Sequence, residues 1–78
     1  MPRVARAPAK HPSLSKLGER IRKQREAQGM SQESLADLAR IGRSYISGIE
    51  RGVRNCSVLH LLRIAKALQV SAADLLPR

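Results

Sequence analysis

The chain has 78 residues, and 15 Lys and Arg residues against 6 Asp and Glu residues give a formal net charge of +9. This length allows one domain with one small hydrophobic core, and the charge favours a polyanionic partner, nucleic acid first and an anionic membrane second. Tyr45 is the only aromatic residue, which argues against recognition of RNA or single strands by base stacking.

Several other classes of protein are excluded by what the sequence lacks. Cys56 is the only cysteine, so no intrachain disulfide and no cysteine zinc cluster is possible; an unpaired thiol in a reducing cytoplasm is favoured over a redox switch. No apolar run is long enough for a transmembrane helix, and the N-terminus lacks the apolar segment of a secretory signal. His11 and His60 have no partner at metal-ligand spacing, and no nucleophile–base pair is present. We therefore expect no enzyme activity, metal, cofactor, membrane association or small-molecule ligand.

Residues 1–12, "MPRVARAPAKHP", predict a disordered basic arm, because the spacing of their prolines forbids a regular helix. Two interpretations of the arm stay open: a solvated tail without a role, or an arm that follows DNA phosphates or enters a minor groove.

From residue 13 onward the apolar period changes to that of helices. Ser13 is predicted to cap a first helix that carries Leu14, Leu17 and Ile21 on one face, with Gly29 ending it. Ser31 is predicted to cap a second helix, "QESLADLA", whose inward side is expected to hold Leu35, Ala36, Leu38 and Ala39.

The third helix, "RSYISGIE", is predicted to bury Ile46 and Ile49 and to be closed by Gly52. Gly48 stands away from this buried side, although glycine costs about 0.5–1 kcal/mol relative to alanine inside a helix.

Ser57 is predicted to cap a fourth helix that extends to Gln69. Its expected core side consists of Val58, Leu61, Ile64, Ala65 and Leu68. Ser71 and Asp74 form a capping-box pattern for a last short helix, Ala72 to Leu76, before Pro77.

The sequence therefore predicts an all-α protein, a compact bundle of five short helices. About three residues join the second and third helices, which is the spacing of a helix-turn-helix. Residues 13–78 are thus predicted to form one helix-turn-helix DNA-binding domain.

The run "SQESLADLARIGRSYISGIERGVRN" followed by "LLRIAKALQV" resembles the lambda-repressor-like helix-turn-helix family, also called the xenobiotic-response-element family of transcriptional regulators. The resemblance covers Leu17 to Leu76. Within the family, "YISGIERG" followed by "RN" is most similar to the controller proteins of restriction–modification systems, which are small dimeric regulators. The resemblance implies that the third helix lies in the major groove of DNA.

The resemblance also implies roles for individual residues. Base readout is expected from Arg43, Ser44 and Ser47. Contacts to the DNA backbone are expected from Gln32, Tyr45, Arg51, Arg54 and Asn55. A half-buried core ring is the alternative for Tyr45, and a solvated charge is the alternative for Arg51. Gly48 is expected near the groove, where it either permits closer approach to DNA or is merely tolerated.

Arg25 and Glu50 correspond to a buried ion pair of the family. Arg40 stands where many members have glycine, so the turn after the second helix is expected to differ slightly. Gly42 replaces the usual Ser or Asp cap of the third helix.

Apolar residues in the last third of the chain predict a homodimer interface, with scattered surface leucines as the alternative. The expected interface residues are Leu59, Leu62, Val70, Leu75 and Leu76.

The sequence thus predicts a regulator that binds double-stranded DNA with sequence specificity. It is expected to be autoregulatory, to bind a near-palindromic operator as a homodimer, and to act in the cytoplasm at the nucleoid. The alternatives are an antitoxin that also represses its own operon, and a protein that binds polyanions by charge alone.

Overall fold

The computed structural model describes residues 11–77. Five α-helices make up this part of the chain: α1 Pro12–Ala27, α2 Gln32–Ala39, α3 Arg43–Glu50, α4 Val58–Leu68 and α5 Ala72–Leu75. The residues described include no strand, and the prediction of an all-α bundle is confirmed. Residues 1–10 of the predicted basic arm lie outside the described residues.

The start of α1 differs from the prediction. His11 is the extended N-cap residue, and Pro12 already belongs to the first turn, so Ser13 does not cap the helix. Proline suits this position because its φ is already helical and its missing N–H would have no partner in a first turn. At the other end Gly29 adopts a φ of 68°, which confirms the predicted helix stop.

The predicted serine caps of the later helices are confirmed. The hydroxyl oxygens of Ser31, Ser57 and Ser71 each accept a hydrogen bond from a backbone N–H three residues on. The carboxylate of Asp74 accepts a return bond from the N–H of Ser71 at 3.2 Å, which completes the capping box. Each cap satisfies a donor that the first helical turn would otherwise leave unpaired.

The turn between α2 and α3 has Arg40, and not a glycine, as the residue that follows α2. Arg40 itself takes the left-handed conformation, with a φ of 59°. That conformation costs a non-glycine residue roughly 1–2 kcal/mol. The bond from the N–H of Ile41 to the carbonyl of Ala36 at 3.0 Å and the burial of Ile41 hold it there.

The core is aliphatic and is supplied by all five helices. Its fully buried large side chains are Ile21, Leu35, Ile46, Ile49, Ile64, Leu68 and Leu75. Two predicted core residues are on the surface instead: Leu38 is 62 % exposed and Val58 is 73 % exposed. Both lie at the margin of their helix's apolar side, where no described helix covers them.

Leu75 is also placed differently from the prediction. It was expected to be uncovered and to join a dimer interface, but it is 0 % exposed in the monomer. The capping box turns α5 back onto α4 and α1, and the guanidinium of Arg20 donates to the carbonyl of Asp74 at 3.4 Å. Leu75 therefore completes the core of the monomer.

A glycine inside α1 allows two helices to cross closely. A Cβ atom on Gly18 would overlap the carbonyl oxygen of Ile49 and would lie 2.6 Å from that of Glu50. The middle of α1 therefore packs directly on the backbone at the end of α3, which no side chain at position 18 would permit.

Candidate nucleic-acid interface

The residues predicted to read bases lie together at the start of α3. Arg43 and Ser44 are exposed and Ser47 is half-exposed. Ile46 and Ile49 are buried on the other side of the same helix. This division follows from the helical period: the isoleucines anchor α3, and one surface strip of polar side chains is left to face a ligand.

The predicted ion pair is formed, and it is bidentate. Nε of Arg25 donates to one carboxylate oxygen of Glu50 at 2.7 Å, and an Nη donates to the other at 3.0 Å. The remaining Nη of Arg25 donates to the carbonyl of Met30 at 2.7 Å. The hydrogen bond to Glu50 is the main cause that raises the pKa of Arg25, so the guanidinium stays charged.

Gln32 joins this network, which the sequence did not indicate. Its amide donates to a carboxylate oxygen of Glu50 at 3.0 Å. The carboxylate of Glu50 therefore accepts hydrogen bonds from both Arg25 and Gln32. Glu50 is only 8 % exposed. An unpaired carboxylate here would repel phosphates beside α3, and the positive charge of Arg25 offsets that repulsion. The bond from Gln32 to Glu50 also orients the Gln32 side chain at the start of α2.

Tyr45 packs as a half-buried ring, which is the alternative that the sequence left open. Its hydroxyl donates to the backbone carbonyl of Asn55 at 2.8 Å, and its ring meets that of His60 edge-on with centroids 4.7 Å apart. A phenol has one hydrogen to donate. That hydrogen is donated to the carbonyl of Asn55, so in this structure the Tyr45 hydroxyl has no hydrogen left to donate to a phosphate.

The loop after α3 carries two further predicted contact residues, Arg54 and Asn55, and the side chains of both are exposed. The guanidinium carbon of Arg54 lies 5.1 Å from the centre of the Tyr45 ring. Arg54 also covers Gly48, which is buried. The expectation that Gly48 opens space for DNA is therefore wrong, because a side chain of the protein occupies that space.

Arg51, at the end of α3, is exposed. Its Nε donates to the carbonyl of Ser47 at 3.3 Å. Both interpretations from the sequence, a contact to the DNA backbone and a solvated charge, fit this exposed position.

An open cleft of about 430 Å³ lies between α1, the start of α2 and α3. Its lining includes predicted contact residues, the ion pair, and three residues of α1 that the sequence analysis did not single out. The lining residues are Ser15, Glu19, Arg22, Arg25, Gln32, Ser47, Glu50 and Arg51. Ser15, Glu19 and Arg22 reach this surface only because α1 crosses α3 closely, and no sequence pattern signals that crossing.

Comparison with known proteins matches residues 21–75 to a family model described as helix-turn-helix. The chain belongs to this helix-turn-helix family. It is 47 % identical over 61 residues to the control protein C.BamHI of Bacillus amyloliquefaciens, a match that covers 77 % of this chain and 75 % of that protein.

Solved structures agree with this helix-turn-helix assignment. The restriction–modification controller protein C.AhdI of Aeromonas hydrophila superposes with a TM-score of 0.82 at 45 % identity, covering 83 % of this chain and 98 % of that one. The biofilm regulator SinR in complex with DNA superposes with a TM-score of 0.73 at 37 % identity, covering 76 % and 95 %. The chain is a DNA-binding transcriptional regulator and not an enzyme.

In this helix-turn-helix protein, α2 and α3 are the two helices of the motif. Within residues 11–77, no group of His, Cys, Asp and Glu side chains is placed to hold a metal ion. In the same range, no helix is long and apolar enough to cross a membrane.

Burial raises the pKa of the Cys56 thiol, which lowers its thiolate fraction at neutral pH and so its reactivity.

Proposed function

We propose that this regulator binds a near-palindromic operator as a homodimer and controls its own gene, in the manner of a restriction–modification controller. The observation that carries the proposal is a polar strip on α3, formed by exposed Arg43 and Ser44 and half-exposed Ser47. Ile46 and Ile49 anchor the other side of this helix in the core. Similarity to C.BamHI and C.AhdI supports a controller over an antitoxin. The proposed place of action is the cytoplasm, at the nucleoid.

Arg43 is the proposed principal reader of bases, with Ser44 and Ser47 beside it. As the first residue of α3, it stands at the end of the helix that enters the groove in this motif. A guanidinium can bind O6 and N7 of guanine together, and a pair of this kind discriminates by about 1–3 kcal/mol. Gln32, Arg51, Arg54 and Asn55 are the proposed contacts to the DNA backbone, which position the protein without reading sequence.

Arg43→Ala is expected to weaken operator binding by about 1–3 kcal/mol and to relax preference at one base pair in each half-site. Binding to random DNA should fall much less. Arg54→Ala is the matched control, because a phosphate contact should weaken binding to operator and random DNA by similar factors. The operator is first obtained by selection from a random duplex library, and titrations then use it, its single-base variants and random duplex.

Equal losses on all these duplexes for Arg43→Ala, with base preference intact, would make Arg43 a backbone contact. Readout would then have to come from Ser44, Ser47 or DNA shape.

The proposed dimer surface lies on α4 and at the end of the chain. Leu59 is 57 % exposed and Leu62 is 52 % exposed. Leu76 is also exposed and Val70 is half-buried, whereas Leu75 no longer belongs to this surface because it is buried in the monomer. Two half-sites of a palindrome require two recognition helices related by a two-fold axis.

Leu62→Glu is expected to convert the dimer into a monomer, because it places a charge in an apolar interface without a partner. Sedimentation at tens of micromolar measures the change, and operator affinity should fall with it. Leu38→Glu is the matched control: Leu38 is 62 % exposed, somewhat more than Leu62, but lies on α2, so this variant should remain dimeric. A wild-type protein that sediments only as a monomer, with and without operator, would contradict the proposal.

A further inference from the structure

We propose that Gly48 and Tyr45 are positioning residues for Arg54: together they hold its guanidinium against α3 in the free protein, ready for the DNA backbone. The inference rests on the proposed role of Arg54 as a backbone contact. It explains why α3 contains a glycine in its interior, where alanine would favour the helix.

The first observation is steric. A Cβ atom on Gly48 would lie 3.2 Å from Cβ of Arg54, 3.3 Å from its Nε and 3.6 Å from its Cδ. These distances are shorter than, or at the lower end of, ordinary carbon contacts. The stem of Arg54 thus fills the space that a side chain at position 48 would take, and Arg54 has to shift when that position gains a methyl group.

The second observation concerns the Tyr45 ring, which lies one helical turn before Gly48. Residues at i and i+3 share a helix face, so the ring stands beside the gap that Gly48 leaves. The guanidinium of Arg54 is 5.1 Å from the ring centre, within the range of a cation–π contact. The ring therefore supports the charged end of Arg54, while Gly48 accommodates its stem.

The third observation is that the loop is tied to α3 on both sides of Arg54. The N–H of Val53 donates to the carbonyl of Gly48 at 3.1 Å. The hydroxyl of Tyr45 donates to the carbonyl of Asn55 at 2.8 Å. Since the residues before and after Arg54 are both bound to α3, the backbone direction at Arg54 is set before DNA arrives.

Ordering of this kind affects affinity through entropy. A free arginine side chain loses rotamer freedom when it is immobilised at an interface, and a preordered one loses less. Gly48 and Tyr45 therefore increase the affinity for DNA without touching it. A glycine that is merely tolerated would have no such effect, and its replacement by alanine would only stabilise the helix.

The test compares the wild type with Gly48→Ala, Arg54→Ala and the double variant, on a random-sequence DNA duplex and on the selected operator. Arg54→Ala should weaken both affinities by roughly tenfold, the size of one charge-assisted contact. Gly48→Ala should weaken them by about three- to tenfold when Arg54 is present, the range for one disordered side chain. In the Arg54→Ala background only the 3.2 Å contact to the Cβ of residue 54 is left, and no guanidinium remains to be displaced, so Gly48→Ala should leave affinity unchanged.

Equal weakening by Gly48→Ala in both backgrounds, or no weakening in either, would overturn the positioning role while Arg54 stays a DNA contact. Unchanged affinities for Arg54→Ala would instead remove Arg54 from the proposed interface, and the inference with it. Tyr45→Leu provides a second variant that is independent of the space at Gly48. Because Tyr45→Leu also removes the hydroxyl that binds the carbonyl of Asn55, it is compared with Tyr45→Phe, which lacks the same hydroxyl but keeps the ring. Tyr45→Leu should bind DNA more weakly than Tyr45→Phe when Arg54 is present and equally well when Arg54 is alanine; the same difference in both backgrounds would overturn the role of the ring.

Discussion

Glu50→Ala is expected to lower the free energy of unfolding by about 3–5 kcal/mol, the largest stability loss that we predict for a single substitution. The guanidinium of Arg25 would stay in a nearly closed environment, where its side chain is 11 % exposed, without the carboxylate that now binds it. Gln32 would lose its hydrogen bond to Glu50 as well. Urea unfolding followed by far-ultraviolet circular dichroism, at one fixed protein concentration, measures the change.

The matched control is Glu26→Ala. Glu26 is a second carboxylate near the guanidinium of Arg25, at a distance of 3.9 Å, but its side chain is 61 % exposed. Exposed ion pairs contribute only about 0–1 kcal/mol to stability. Replacing both partners of the buried pair, as in Arg25→Met with Glu50→Leu, should recover much of the stability, because no buried charge is left unpaired. A loss below about 1 kcal/mol for Glu50→Ala would show that water reaches Arg25 readily.

The second large effect is expected from Gly18→Ala. Helix propensity alone predicts that this change stabilises α1 by about 0.8–1 kcal/mol. The structure predicts the opposite sign, because the new methyl group would overlap the backbone of Ile49 and Glu50. Overpacking typically costs about 1–3 kcal/mol and occasionally more, and backbone atoms cannot rotate away as a side chain can. We expect a loss at the upper end of that range or above it.

Thermal and urea unfolding of Gly18→Ala, compared with Lys16→Ala, distinguishes the two signs. Lys16 is exposed in the same helix, so its replacement should change stability by no more than about 0.5 kcal/mol. DNA affinity of Gly18→Ala should fall too, because a displaced α1 disturbs the cleft beside α3. An increase in stability would mean that α1 moves away from α3 at little cost.

The sequence by itself determined the five helices and the caps of three of them. Ser31, Ser57 and Ser71 mark helix starts because a hydroxyl three residues before a free N–H satisfies it locally. The buried and exposed sides of α3 followed from the period of Ile46 and Ile49. These properties depend on residues within one turn of each other, so they can be predicted without knowing what the helices pack against.

Pairing across helices was beyond the reach of local patterns. The Arg25–Glu50 pair was expected only from the resemblance to a family, and its link to Gln32 was not expected at all. The boundaries of the core were also misjudged at Leu38, Val58 and Leu75, because burial at the edge of an apolar stripe depends on where the neighbouring helices end.

Only the tertiary structure decided what the two interior glycines do. Gly18 and Gly48 look alike in the sequence, since each interrupts a helix that alanine would favour. In the fold, Gly18 lies against the backbone of α3 and Gly48 lies under the side chain of Arg54. What a glycine does depends on the atoms that fill the space of its missing side chain. For Gly18 these atoms belong to the backbone of α3, and for Gly48 they belong to the loop after α3. The physical reason is steric exclusion, which acts between atoms close in space whatever their separation along the chain.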